Sequence, residues 1–355
     1  MIRIIDKYIA RQVIYASLFV LLALVLLRSL FGLIDELAIV GRGTYQASDA
    51  FLYTAMMIPG RVIEFFPMSI LIGALIGLGS LASHSELTVL RAAGMTSWQI
   101  AGVAVKASLV MVFITLLIAE MVAPKANKSA EQLRSVALSG GELNFSQSGL
   151  WAKKGNKIVR LGEILSTGQF ADVMIFQLNE SNRLESYTQA KEAHKQESSW
   201  LLKQVKITHF ESNAIRHEQI SELVWEQPLM DSHIETLSLE PDSLNIAGLY
   251  DYLDYLKENR LEYSQYQLVF WQKIFLPLSI VVMMFLATAF VMGPMRDVSV
   301  AARILSGVFL GFGFHLANQS FGPISLVFNL WPFFGAALPV IIFAGVGYSL
   351  MRSSS

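Results

Sequence analysis

The chain has 355 residues, 54% of them hydrophobic and 15% charged, with a mean hydropathy of +0.48 and a formal net charge of −1. Soluble globular domains carry about 25% charged residues, so this composition excludes an ordinary soluble domain. The balanced charge gives no case for nucleic acid, and the absence of cysteine excludes disulfide staples and thiolate metal sites. Of the 55 charged residues, 36 fall between Lys125 and Lys273. Two membrane blocks therefore flank one water-soluble insert.

A hydrocarbon core about 30 Å thick needs roughly 20 apolar residues as a helix. In chain order, the first such segments are about 12–34, 59–82 and 99–123. Arg28 lies inside the first, while Arg61, Glu64, Lys106 and Glu120 lie near span ends, where snorkelling lowers their cost. Between the second and third spans stands HSELTVLRAAGM, residues 84–95. Ser83 and Glu86 have capping-box spacing, and Gly94 supplies a C′ stop. The expectation is a short amphipathic helix, with Glu86, Leu90 and Ala93 near one face and Leu87 and Arg91 near another. Such a helix at the membrane face suits docking into a groove of a soluble partner. The plainer alternative is a connector whose glutamate caps its own helix.

The insert, 125–268, changes period. KIVRLGEIL (157–165), DVMIFQLNE (172–180), RLESYTQAKEAH (183–194), SWLLKQVKITHFE (199–211) and QISELVWE (219–226) are short, β-rich and punctuated by Gly, Asn and Ser. They predict an antiparallel sandwich or barrel, whose apolar residues are expected to fill its core. LNIAGLYDYLDYLKENR (244–260) predicts an amphipathic linker helix with Leu249, Leu253 and Leu256 on one face. Three more spans follow, about 270–293, 303–320 and 331–351, the last two separated by turn signals in FGP (321–323) and NLWP (329–332).

Lys and Arg in short loops orient the chain. Arg3, Lys7, Arg11, Arg91, Arg296, Arg303 and Arg352 share one side if there are six spans, with Arg42 and Arg61 opposing. That side is read as cytoplasmic, so both termini are cytoplasmic and the insert faces outward. Span one lacks a small-residue cleavage site and is read as an anchor, not a removed signal peptide. No G-x-x-x-x-G-K-[ST] loop is present, the histidines lack H-x-x-x-H spacing, and no intramembrane carboxylate pair suggests an ion-coupled pump. His315 is expected to be a packing residue bonded to Asn318 or Gln319. The glycines of GALIGLG (73–79) and GVFLGFGF (307–314) are expected to permit close helix packing. Basic residues at the outward ends of spans one to three suit either phosphate pairing or simple anchoring; only Arg28 is costly enough to need a reason.

Several stretches resemble the lipopolysaccharide-export permeases, the paired membrane subunits of an ABC transporter in Gram-negative bacteria. They are IDKYIARQ (5–12), FFPMSILIGALIGLGSLASHSELTVLRAAGM (65–95), GLWAKKGNKIVRL (149–161), YQLVFWQKIFLPLS (266–279), MGPMRDVSV (292–300) and NQSFGP (318–323). The last three favour the G-type branch. The resemblance implies an α-helical inner-membrane protein of six transmembrane helices with an inserted periplasmic antiparallel β-jellyroll. It divides the chain into 1–124 with a coupling helix at 84–95, 125–268, and 269–355. It implies a non-catalytic subunit without a cofactor of its own, ATP being used by a cytoplasmic ABC ATPase dimer (LptB). The other implied partners are a paralogous permease (LptF), a single-span periplasmic bridge protein (LptC) and lipopolysaccharide. Glu86, Leu87, Leu90 and Arg91 are the implied ATPase-coupling residues, and Arg28, Arg42, Arg61 and Arg134 the candidate lipopolysaccharide contacts. Spans one and five are implied to line a lateral gate. One departure stands out: the family pattern has a basic residue three before the D-x-L of span one, and here that place is Gly32. Two rivals are a mechanical subunit that drives a periplasmic process without passing substrate, and an intramembrane enzyme, against which the lack of a catalytic group set argues.

Overall fold

The computed structural model describes residues 4–138, 150–154, 156–166, 169–179, 183–195, 199–210, 215–225, 241–293 and 298–353. Arg3 and Arg296, used above for orientation, lie outside these residues. Helix α1 (Ile4–Leu37) is followed by α2 (Ala47–Met56), α3 (Ile58–Ser83), the short α4 (Glu86–Ala92) and α5 (Ser97–Leu117). A π-helical turn (Ile118–Val122) joins α5 to α6 (Ala123–Leu138). Six strands follow: β1 (Leu150–Lys154), β2 (Lys157–Ser166), β3 (Gln169–Leu178), β4 (Leu184–Lys195), β5 (Trp200–Phe210) and β6 (Ile215–Trp225). The chain ends with α7 (Ile246–Glu258), α8 (Ser264–Met292), α9 (Val300–Val327) and α10 (Pro332–Ser353).

Among the described residues, α1, α3, α5 with its extension, α8 and α10 are long and apolar enough to cross a membrane. The remaining expected span falls in α9, a sixth long helix. Helix α3 is the centre of the bundle, flanked by α1, α8 and α9. It accepts α1 closely because Gly73 and Gly77 face that helix. A β-carbon on Gly73 would overlap the Ser17 backbone, and one on Gly77 would sit 3.1 Å from Gln12 O. Gly307 and Gly311 play the same part for α9, against Leu75 and Met68. The glycine-rich runs thus serve packing, as expected. Helix α1 buries one stripe through Ile9, Val13, Ser17, Leu21 and Val25, while its other faces stay open.

Three local expectations are corrected. Helix α3 runs through Ser83, whose hydroxyl donates to Ser80 O at 2.8 Å, so the capping box of Ser83 with Glu86 does not form. Helix α4 starts instead after Ser85, held at φ +62°. The FGP motif does not turn the chain: α9 continues past Pro323, where Ser325 Oγ donates to Gly322 O at 2.7 Å, and ends at NLWP. Proline is tolerated there because side chains and neighbouring helices re-satisfy freed backbone groups. Helix α5 does not stop near 123. Pro124 lacks an N–H and its ring would crowd the Glu120 carbonyl of a regular α-helix. The π turn absorbs this, with Ala123 N–H reaching back to Ile118 O, and the chain stays helical to Leu138. The Gly94 stop holds: at φ +93°, Gly94 N–H bonds Arg91 O at 3.0 Å and Met95 N–H bonds Leu90 O at 3.1 Å, a Schellman closure.

The strands form one antiparallel sheet in which each pairs with its chain neighbours, order β1-β2-β3-β4-β5-β6. Register puts Leu161, Val173, Ala190, Val205 and Ile220 in one cross-strand row. Trp200 stacks on Phe170 at 4.7 Å, and the apolar face forms a core of its own. The linker helix forms as expected, burying Leu249, Leu253 and Leu256.

Candidate functional site

A cavity of about 600 Å³ lies within the helical bundle, walled by α1, α2, α3, the π turn with α6, α8 and α9. Its most unusual feature is a pair of arginines from different helices. Gly32 on α1 carries no side chain, and a β-carbon there would lie 2.5 Å from Arg61 Nη2 and 3.4 Å from Arg28 Nη1. The two guanidiniums therefore converge over the glycine. Arg61 is only 7% exposed, and its Nη1 finds no hydrogen-bond partner among the described residues. A buried guanidinium nitrogen left without a hydrogen-bond acceptor is costly. Two like charges drawn together form an arrangement that an anion would relieve, and the guanidinium fork fits phosphate oxygens bidentately.

Acids line the cavity too: Asp35, Glu36, Glu64 and Glu120. At one edge, Glu36 Oε2 accepts from Tyr45 OH at 2.9 Å and from Arg134 Nε at 3.2 Å. Next to it, Tyr53 OH donates to Glu131 at 2.9 Å, and the Arg134 guanidinium lies 5.6 Å from the Tyr53 ring centre. Burial, followed by the Glu36 bond, pushes the Tyr45 phenol up; burial, followed by the Glu131 charge, does the same for Tyr53. Both remain neutral donors. On the α9 wall, His315 stacks on Phe65 at 5.6 Å, shares a 3.1 Å hydrogen bond with Gln319 and stands 3.9 Å from Glu64. The expected Gln319 partner is thus present.

Of the four basic residues singled out from sequence, Arg28 and Arg61 meet in the cavity. Arg134 sits at its edge, tied to Glu36. Arg42 lies exposed in the α1–α2 connection, away from the cavity lining. Sequence reasoning missed Glu36, Tyr45 and Tyr53, and at Gly32 it noted only that the family's basic residue is absent. The signals were there in part: an acidic pair, Asp35–Glu36, closes span one, and a lone glycine interrupts a run of large apolar residues.

At the far end of α1 lies α4. Tyr8 OH donates to Glu86 Oε1 at 3.4 Å, joining the start of α1 to the first turn of α4. Leu87 is 4% exposed and belongs to the bundle core, and Leu90 packs against the same core. These two side chains anchor α4 and do not face out. Val89, 65% exposed, is the apolar residue on its open face. Glu86 and Arg91 are half-buried. The helix thus presents one small apolar contact flanked by one acid and one base.

A family model described as "Lipopolysaccharide export system permease LptF/LptG" matches residues 7–353. The lipopolysaccharide export system permease protein LptG of Escherichia coli K12 is 37% identical over 359 residues, covering 99% of both chains. Its namesake from Haemophilus influenzae Rd is 35% identical over 346 residues, covering 97% of this chain and 96% of the relative.

Proposed function

The chain belongs to the lipopolysaccharide export system permease LptF/LptG family and is a membrane permease of that export system, not an enzyme; from that premise we propose how it works. Lipopolysaccharide enters the cavity with a phosphate between Arg28 and Arg61, and a partner ATPase drives the permease through α4. The observation that carries this reading is the convergence of the two guanidiniums over Gly32, with Arg61 Nη1 buried and unpartnered. Phosphate is the group on lipopolysaccharide that such a pair suits. Arg134 contributes indirectly, by holding Glu36 away from the phosphate. Arg42, exposed and outside the lining, anchors the chain at the interface.

On this reading α4 and both termini are cytoplasmic in the inner membrane, and the β domain is periplasmic. The ATPase is a cytoplasmic ABC dimer whose groove takes Val89, with Glu86 and Arg91 at its rim. A paralogous permease completes the membrane part, and a single-span bridge protein receives the lipid. ATP is consumed by the ATPase alone.

The test is photocrosslinking to labelled lipopolysaccharide from positions beside the cavity. Arg28→Ala and Arg61→Ala each reduce crosslinking about tenfold, as expected for a buried charge-assisted contact, and Arg42→Ala leaves it near wild type. Equal effects of all three, or none, would reduce the arginines to interfacial anchors. Stimulation of the complex's ATPase by lipopolysaccharide separates this permease from a mechanical subunit that passes no substrate.

A further inference from the structure

The cavity holds more than cations. Among the described residues, three of its lining side chains bury a polar atom without a hydrogen-bond partner: Arg61 Nη1, Glu120 Oε1 and the Asn127 amide oxygen. The first is a donor and the other two are acceptors. A fully ionised phosphate group offers only acceptors, so it satisfies the arginine and cannot satisfy a carboxylate or an amide oxygen. Both acceptors are positioned by local features of the chain. Glu120 sits in the π turn, and its other oxygen, Oε2, accepts from Ile246 N–H at 3.0 Å at the start of α7. That bond fixes one oxygen of a carboxylate that lines the cavity. Asn127 lies beside Gly60, where a β-carbon would be 3.2 Å from Asn127 Oδ1. Glycine at 60 leaves the amide its place.

We propose that the cavity reads a phosphorylated sugar and not phosphate alone: Arg28 and Arg61 take the phosphate, while Glu120 Oε1 and the Asn127 amide oxygen accept from hydroxyls of the sugar that carries it. This rests on the lipopolysaccharide reading of the cavity and adds to it two contacts that a bare phosphate ester cannot make. Phosphatidic acid, which has no headgroup beyond its phosphate, leaves both acceptors buried and unpaired. A phosphorylated glucosamine unit supplies donors beside its phosphate. Sites built around a buried polar group discriminate strongly against ligands that leave it unpaired, and a cavity of about 600 Å³ takes such a headgroup with the acyl chains outside.

The test uses the full-length chain, purified with its partner subunits in mild detergent, and two probes: diphosphorylated lipid A and dioleoyl phosphatidic acid. Asn127→Leu weakens lipid A binding by about tenfold and phosphatidic acid binding by less than about twofold. Gly60→Ala, which crowds the same amide, reproduces that selective loss without removing a polar group, so it decides the matter should Asn127→Leu fold poorly. Arg61→Ala weakens both probes. Parallel loss on the two probes for Asn127→Leu and Gly60→Ala, or no loss on either, overturns the sugar contact and shows that solvent serves those acceptors. So does a wild-type complex that binds phosphatidic acid as tightly as lipid A. Failure of Arg61→Ala on both probes is a different result: it removes the phosphate reading itself.

Discussion

Gly32 and Gly73 both lie at contacts between α1 and α3, and they meet different atoms. A methyl on Gly32 meets the mobile end of Arg61, which can swing aside; a methyl on Gly73 meets the Ser17 main chain, which cannot. Gly32→Ala should therefore leave thermal stability within about 1 kcal/mol while lowering lipopolysaccharide affinity, because the displaced guanidinium no longer meets Arg28. Gly73→Ala should cost about 1–3 kcal/mol by forcing two helices apart. Thermal unfolding in detergent together with lipid binding distinguishes the two outcomes. Glu86 gives a second residue-scale expectation. Among the described residues, its side chain is held by one exposed tyrosine at a long 3.4 Å, so Glu86→Ala should fold and insert normally, losing at most about 0.3–1 kcal/mol of a first-turn acid. Paired with a base in the ATPase groove, the same change costs about 2–5 kcal/mol at that interface. Copurification of the ATPase, with expression controlled, reads this; wild-type recovery would leave Glu86 a mere partner of Tyr8. None of these assignments was fully legible in the sequence. Arg28 drew attention because a charge inside an apolar run is costly, but its meeting with Arg61 depends on how α1 lies against α3, which no spacing along the chain encodes.

Short elements were harder to read than long ones. The Gly94 stop of α4 was visible because glycine alone favours its backbone angle. The start was misplaced because the helix before it runs on to Ser83, so the Ser-x-x-Glu pattern spans the end of one helix and the beginning of another. The real N-cap, Ser85, adopts φ +62° without a side-chain cap bond. An L-residue there costs roughly 1–2 kcal/mol, so Ser85→Gly should raise thermal stability by up to about 1 kcal/mol. Differential scanning of the purified complex would show it, and an unchanged or lowered transition would mean that the serine holds α4 in place. Helix α2 went unnoticed because ten residues are too few to span a membrane, and α6 because it is too polar. The sequence of α6, APKANKSAEQLRSVAL, is as polar as a loop. Strand β1 escaped for a related reason: five residues with two lysines show too little alternation to stand out.

The division into two apolar blocks around a β insert was plain from charge density alone, since lipid and water each select their own residues. Sidedness rests on loop charges and has a direct test. Cysteine at Glu218, exposed on the edge strand β6, should react with an impermeant thiol reagent in intact spheroplasts. Cysteine at Ala93, exposed after α4, should react only once the membrane is opened. The reverse pattern would invert the molecule. One feature of α5 reaches across this whole plan. The π turn carries one more residue than an α-helical path would, and each residue turns a helix by about 100°. Everything after it, Asn127 and Arg134 included, owes its bearing to that surplus. Met121, half in and half out of the bundle wall, is exposed, so Met121→Ala should pass unnoticed. Deleting Met121 should not: with the surplus gone the turn reverts to α geometry, the Pro124 ring meets the carbonyl four residues before it, and the resulting kink takes Arg134 from Glu36 and Asn127 from the cavity while the overall hydropathy profile stays the same. Retained transport after that deletion would show that the bearing of α6 is immaterial. The expected result is an inactive permease that still inserts, which makes this segment tolerant of spelling changes and intolerant of changes in length.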